Sequence, residues 1–180
     1  YKGRIALVGD AKHCIGESTE IVDATGLFIA PGFMDGHIHV ESSMLTVSQY
    51  SNAVVPHGTT AIFMDPHEIA NVLGLKGVRL MLDEAKDVPL RVYATVPSCV
   101  PSAPGLEDAG AVIGASDIEQ AMQWEGIAGL GELMNFPGVF NSVPEVHKEI
   151  EVTLKAGKPV TGHFALPDTG AMLNAYVASG

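Results

Sequence analysis

The sequence is 180 residues long and 47% hydrophobic, with ten Lys and Arg against twenty-one Asp and Glu and a formal net charge of −11. That length and composition suit a globular domain with a real core and argue against a disordered chain. The acidic balance, unbroken by any basic cluster, excludes nucleic acid as a partner, because a phosphate backbone would be repelled. Cys14 and Cys99 form neither a disulfide framework nor a C-x-x-C pair, which favours a reducing, cytoplasmic setting. No apolar run reaches the ~18 residues of a membrane span, no basic-then-apolar leader opens the chain, and no membrane partner is expected. With Tyr1 in first place and Gly180 closing a helical run, both ends read as cut.

Residues 1–30 have their own texture. Arg4 to Val8, Glu20 to Val22 and Leu27 to Ala30 read as short strands of an antiparallel sheet, punctuated by Gly9-Asp10, Gly16 and Gly26. From residue 31 to 180 the pattern changes. The run through Phe33 and Met34, then Thr60 to Met64, Leu90 to Val96, Ile127 to Leu130 and Pro159 to Thr161 predict buried strands. Between and after them, Thr46 to Val55, Ile69 to Lys86, Asp117 to Trp124, Pro144 to Ala156 and Asp168 to Ala178 predict helices, with Asp117, Pro144 and Asp168 as helix-start residues. A strand-to-strand period of about 30 residues is the spacing of β-α units in a parallel sheet, and about five units fit.

The densest chemistry lies in LFIAPGFMDGHIHVESSM, residues 27–44. Asp35, His37, His39 and Glu41 fall at every second position, so strand geometry puts all four on one face. Two imidazoles spaced in this way can turn toward a common ion, and an acidic pair in phase with them makes a poor core. Other polar residues also follow the strands: Asp65-Pro66-His67-Glu68 after the second, Ser98-Cys99 after the third, Glu132 after the fourth and His163 after the fifth. No glycine-rich turn of a Rossmann sheet follows the first strand. Residues at the carboxyl ends of successive parallel strands converge on one mouth in a (β/α)₈ barrel. The expected fold is therefore α/β.

The strings PGFMDGHIHVESSM, VVPHGTTAIFMDPHEIANVLG, VPSCVPSAPG, GLGELMNFPGV and GHFALPDTGAMLNAYVASG together resemble the amidohydrolase superfamily and, within it, the adenine-deaminating family. The PGFxDGHxH pattern alone indicates only the superfamily; the HVESS, DPHEIANVLG, PSCVP and GELMNFPGV segments carry the narrower likeness. The resemblance implies a partial TIM (β/α)₈ barrel over residues 31–180, preceded by part of a small β-sandwich domain over residues 1–30. It also implies a hydrolase of C–N bonds in cyclic amidines, converting adenine to hypoxanthine and ammonia in purine salvage, with adenine as the small-molecule partner and a homo-oligomer as the assembly.

His37 and His39 are the first metal ligands expected. The resemblance adds Glu132 at the fourth-strand end as a bridging anion and His163 at the fifth. Such a mixed imidazole and carboxylate set suits Fe, Mn or Zn; the resemblance favours Mn²⁺ or Fe²⁺ in a binuclear centre, with Zn²⁺ third. Asp65, His67 and Glu68 are candidates to hold adenine, move a proton to its ring nitrogen and leaving ammonia, or orient the metal ligands. They equally suit a helix start, with Asp65 as N-cap and Glu68 in the first turn. Glu41 is either a partner behind a ligand or an acceptor from the purine. His57 precedes a strand and belongs to the far end of the barrel, His13 and His147 read as solvated surface, and Cys99 as loop packing near the mouth.

Three other readings compete. His39-Val40-Glu41 matches the H-x-E of the zinc cytidine deaminases, but their P-C-x-x-C is missing, since Pro97-Ser98-Cys99-Val100-Pro101 holds a single cysteine. Another amidohydrolase, acting on cyclic amides or acylamino sugars, is the nearer alternative. The third is a catalytically inactive metal-binding fragment: a complete barrel takes about 250 residues. By resemblance, the sixth and eighth strand ends bring a further histidine and aspartate. The 180-residue chain is accordingly expected not to deaminate adenine unaided.

Overall fold

A computed structural model describes residues 3–102 and 104–180, and the chain divides into two units, Tyr1–Pro31 and Gly32–Gly180. The first unit, among its described residues, has one 3₁₀ turn at Lys12–Cys14 and no strand. The strands read at 4–8, 20–22 and 27–30 are therefore not formed. A strand is stabilised by its paired neighbour more than by intrinsic preference. Here the apolar residues of those runs remain exposed, Ile5, Val8, Ile21, Val22, Phe28 and Ile29 among them.

The second unit is built on four parallel strands in the order β1 (Phe33–Ile38), β2 (Thr59–Met64), β3 (Arg91–Pro97) and β4 (Ile127–Gly131). Among the described residues, seven α-helices accompany them: α1 (Val47–Val54), α2 (His67–Leu73), α3 (Leu75–Glu84), α4 (Ala115–Ala121), α5 (Phe136–Phe140), α6 (Pro144–Lys155) and α7 (Ala171–Val177). The register sets Ile62 beside Val92, Met64 beside Ala94 and Val96 beside Leu130. On this face Ile62, Met64, Ala94, Val96 and Leu130 are buried in one core with Val47, Val78, Ile118 and Ile150 of the helices. The opposite face carries Phe63 stacked on Tyr93 at 5.1 Å, and Thr95 beside Gly129.

Several elements differ from expectation for identifiable reasons. The single helix read over residues 69–86 is two, α2 and α3, because Gly74 sits at φ +60° and ψ −144°, a conformation that only glycine takes at low cost. The fifth strand is reduced to a single parallel bridge between Val160 and Leu130, flanked by Leu130 N–H to Pro159 O at 3.0 Å and Thr161 N–H to Leu130 O at 2.9 Å. Helix α4 begins two residues before Asp117, whose carboxylate reaches back to Gly114 N at 3.1 Å. Helix α5 was not expected; Asn135 caps it by accepting from Gly138 N at 3.0 Å. His147 is half-buried, with Nε2 2.8 Å from Val139 O, rather than solvated. Glu84 of α3 caps α1 across space, accepting from Val47 N at 3.1 Å, Ser48 N at 3.0 Å and Ser48 Oγ at 2.6 Å.

Helix α6 carries a half-buried carboxylate, Glu149, which burial pushes up to about 8. The folded chain holds this proton up to about pH 8, whereas an unfolded glutamate releases it near 4.5. Between those values the folded state binds more protons, so stability falls as pH rises. Glu149→Gln is expected to recover about 1–3 kcal/mol of stability at pH 9 and almost nothing at pH 4, a range that allows for water's access to the group. Urea denaturation of parent and variant at both pH values checks this; parallel pH dependences would contradict it.

Candidate metal centre

The carboxyl ends of β1, β2, β3 and β4 meet where the histidines collect. Strand β1 ends at Ile38, so the four-residue row read on one strand face is not continuous. His37 is in the strand, His39 lies just past it, and Glu41 begins a 3₁₀ turn over Glu41–Ser43. Glu41 thereby turns away from the histidines. Its Oε1 accepts from Ile69 N at 3.2 Å near the start of α2, and its Oε2 is buried with no hydrogen-bond partner among the described residues.

His37, His39 and His163 converge on one atom. Their Nε2 nitrogens lie 3.1, 3.0 and 2.9 Å from Glu132 Oε1, and the first two are 3.3 Å apart. The tautomer of His39 follows from its other nitrogen, Nδ1, which is 2.8 Å from the Asp65 carbonyl. A carbonyl only accepts, so Nδ1 carries the proton and donates it. In a neutral ring this leaves the Nε2 lone pair aimed at a carboxylate oxygen. Two lone pairs facing each other at this distance are unfavourable unless positive charge stands between them. The donor set thus fits a divalent cation, and a hydrogen bond from Nδ1–H to a backbone carbonyl is the orienting contact that metal-binding imidazoles make.

The titrations describe the same demand. Burial pushes Glu132 upward, but hydrogen bonds from His67 and His163 and the charge and hydrogen bond of His39 outweigh it and hold the carboxyl at about 2. For His39 burial acts downward, yet Glu132, the Asp65 carbonyl and Glu68 leave it above its ordinary value. Asp65 goes the other way. It is fully buried, and burial first, then the charge of Glu132, pushes it up to about 7 despite a hydrogen bond from Thr95. Its Oδ2 accepts from Thr95 Oγ1 at 3.0 Å, and its Oδ1 has no hydrogen-bond partner among the described residues. The N-cap position of α2 belongs to Pro66, so Asp65 is not the helix cap that the sequence allowed.

Among the described residues, two groups offer ligand atoms close enough for one ion each: His37, Glu132 and His163, and His39, Asp65 and Glu132, with the atoms of each group within 4.8 Å of one another. His67 supports the shared member. It is buried, with Nδ1 2.9 Å from Glu132 Oε2 and Nε2 2.8 Å from Cys99 O. Glu68 lies in the first turn of α2 with 46% of its side chain exposed; its Oε1 accepts from Ser42 Oγ at 2.5 Å and its Oε2 is 3.4 Å from His39 Nδ1. Beside the histidines lies a cavity of about 440 Å³ whose lining includes Phe63, Thr95, Glu132, Thr161 and His163, a size suited to a small ligand.

Comparison with known proteins places the chain in a family. Residues 28–178 match the model of the Amidohydrolase family. The chain belongs to that family. An adenine deaminase of Clostridium botulinum (strain Loch Maree / Type A3) is 63% identical over 178 residues, covering 99% of this chain and 30% of the relative. One from Moorella thermoacetica is 62% identical over 178 residues, and one from Ruegeria sp. is 57% identical over 179, with the same coverage. This amidohydrolase chain thus spans about 30% of the length of these curated relatives. Among the described residues, no helix is long and apolar enough to cross a membrane.

Reading the sequence missed Ser42, Thr95 and Ser102, which touch Glu68, Asp65 and His67. Thr95 left one signal, a polar residue near the buried end of the run LRVYATV, whose other polar member, Arg91, is exposed; Ser42, in the 3₁₀ turn, and Ser102, in a loop, left none. Gly131 is also dictated by the site, since a Cβ there would lie 2.0 Å from Asp65 Oδ2 and 2.4 Å from Thr95 Oγ1. Gly131→Ala is therefore expected to cost about 1–3 kcal/mol of stability and to separate Asp65 from Thr95. Thermal denaturation beside Gly157→Ala, where a Cβ meets open space at φ +69°, distinguishes crowding from backbone strain. Equal losses would contradict the crowding argument.

Proposed function

We propose that this chain carries the metal-binding part of an adenine deaminase, which removes the amino group of adenine by hydrolysis to give hypoxanthine and ammonia in purine salvage. The carrying observation is the approach of three imidazole nitrogens to Glu132 Oε1 within 3.1 Å. The names of the relatives supply the substrate. In this reading the parallel strands are part of a (β/α)₈ barrel over residues 31–180, and residues 1–30 are part of a small β-sandwich domain. His37, His39, Glu132 and His163 hold Mn²⁺ or Fe²⁺, with Zn²⁺ third in preference. The second ligand group through Asp65 supports a binuclear centre with Glu132 shared. The setting is the cytoplasm and the assembly a homo-oligomer.

When bound, a divalent ion supplies Lewis acidity that brings the pKa of water from about 15.7 toward 7. The chain's own groups do the rest. Glu68 is the acid and base of the reaction: Ser42 holds its Oε1, and Oε2, facing the mouth beside His39, passes a proton between water and the purine. Asp65, buried, keeps His39 directed through its own backbone carbonyl. His67 fixes Glu132 from behind, and Glu41 holds the start of α2, on which Glu68 stands.

The test is made on a chain of the relatives' full length, with metal analysis and ammonia release from adenine measured together. His37→Ala, His39→Ala and Glu132→Gln are each expected to remove most of the metal. Glu68→Gln keeps it and lowers turnover by about 10²–10⁴-fold. Unchanged metal content in both histidine variants would remove the centre as drawn, and loss of metal with Glu68→Gln alone would mean that ligand and proton carrier have been exchanged. Hydrolysis of a cyclic amide or an acylamino sugar in place of adenine would move the assignment elsewhere in the family. The 180-residue chain alone is expected to fall well below the ~1 s⁻¹ typical of enzymes.

A further inference from the structure

Glu132 has φ +41°, a region that residues with a side chain rarely enter and hold only where their surroundings impose it. Those surroundings come from the loop after β3. Ser98 N and Oγ both donate to Gly131 O, at 3.1 and 2.8 Å. The next residue, Cys99, is buried. Its thiol donates to Glu132 O at 3.3 Å, and its sulfur accepts from Met134 N at 3.2 Å. One small side chain therefore braces the carbonyl of the left-handed residue and the N–H of Met134, which also bond to each other at 2.5 Å. The main chain of Cys99 reaches the other end of the same residue, because its carbonyl faces His67 Nε2 at 2.8 Å and accepts from Ser102 Oγ at 3.2 Å, while His67 Nδ1 lies 2.9 Å from Glu132 Oε2.

We infer that Cys99 is the positioning residue that sets Glu132, gripping its backbone through the thiol and its carboxylate through His67, and that it thereby sets the affinity and geometry of the metal centre. The inference rests on the reading of Glu132 as a metal ligand. No nucleophilic role is involved: among the described residues the sulfur hydrogen-bonds to Ser98 Oγ, Glu132 O and the Met134 and Asn135 backbone N–H groups, none of which is a base that could activate a thiol.

Bridging and packing make opposite demands on a replacement. Valine fills the buried space but neither donates nor accepts, so Glu132 O and Met134 N keep only their bond to each other at 2.5 Å and lose the sulfur that braces them. Serine keeps one donor and one acceptor at the cost of a less apolar side chain. The experiment is a Mn²⁺ titration followed by electron paramagnetic resonance, on a chain of the relatives' full length, for the parent, Cys99→Val, Cys99→Ser and Glu132→Gln, each at a temperature well below its own melting point. Cys99→Val is expected to weaken Mn²⁺ binding about tenfold or more and to alter the spectrum of the bound ion, Cys99→Ser to stay within about threefold of the parent, and Glu132→Gln to lose the metal. A valine variant that binds like the parent beside a serine variant that does not would overturn the inference in favour of packing. Parent-like binding in both, with the metal lost in Glu132→Gln, would overturn it while leaving the centre standing. Parent-like binding in Glu132→Gln would overturn the reading of Glu132 and this inference with it. If the valine variant does not fold, the serine variant decides: retained affinity supports the bridge, and a loss beyond tenfold overturns it.

Discussion

One carboxylate oxygen organises the second unit. Glu132 Oε1 faces three imidazole nitrogens, and the tautomer of His39, fixed by the Asp65 carbonyl, leaves that ring, when neutral, no proton on Nε2 for its own contact with the carboxylate. The cluster needs positive charge, and its titrations lean the same way, with Glu132 held at about 2 and His39 raised. Gathering such groups without a cation would be costly. The ends of β1 and β2, the turn after β4 and the segment beside β4 all deliver their polar residues to this point.

The sheet makes that delivery possible. Parallel strands point their carboxyl ends the same way, so residues far apart in sequence arrive at one rim. His37 follows from the first strand, Asp65 and His67 from the second, Cys99 from the third and Glu132 from the fourth. One sheet face is spent on the core with the helices. The other carries Phe63 and Thr95 toward the cavity beside the histidines. Rigidity comes from the covered face, while the chemistry is confined to the rim.

Much of this was legible because it depends on spacing. The H-x-H after an apolar run, the Glu132 after a short strand and the glycine before His163 are local patterns, and the β-α period placed them at successive strand ends. What escaped notice depends on direction. Period-two reasoning continued β1 through Glu41, whereas the strand stops at Ile38 and the 3₁₀ turn sends that carboxylate to Ile69 N. A helix-length apolar pattern spanned Gly74, but its backbone conformation breaks the helix. The left-handed conformation of Glu132 and the two-sided grip of Cys99 left no sequence signal, since both arise from contacts over more than 30 residues. In the first unit, β-rich composition read as strands, and without pairing among its described residues it formed none.

The most direct measurement of the central claim is anomalous diffraction from crystals of a chain of the relatives' full length grown with Mn²⁺, recorded on both sides of the manganese edge. The account predicts an anomalous peak within bonding distance of Glu132 and of the Nε2 atoms of His37, His39 and His163. Crystals in which manganese binds elsewhere, while the three imidazoles remain hydrogen-bonded to Glu132, would contradict it.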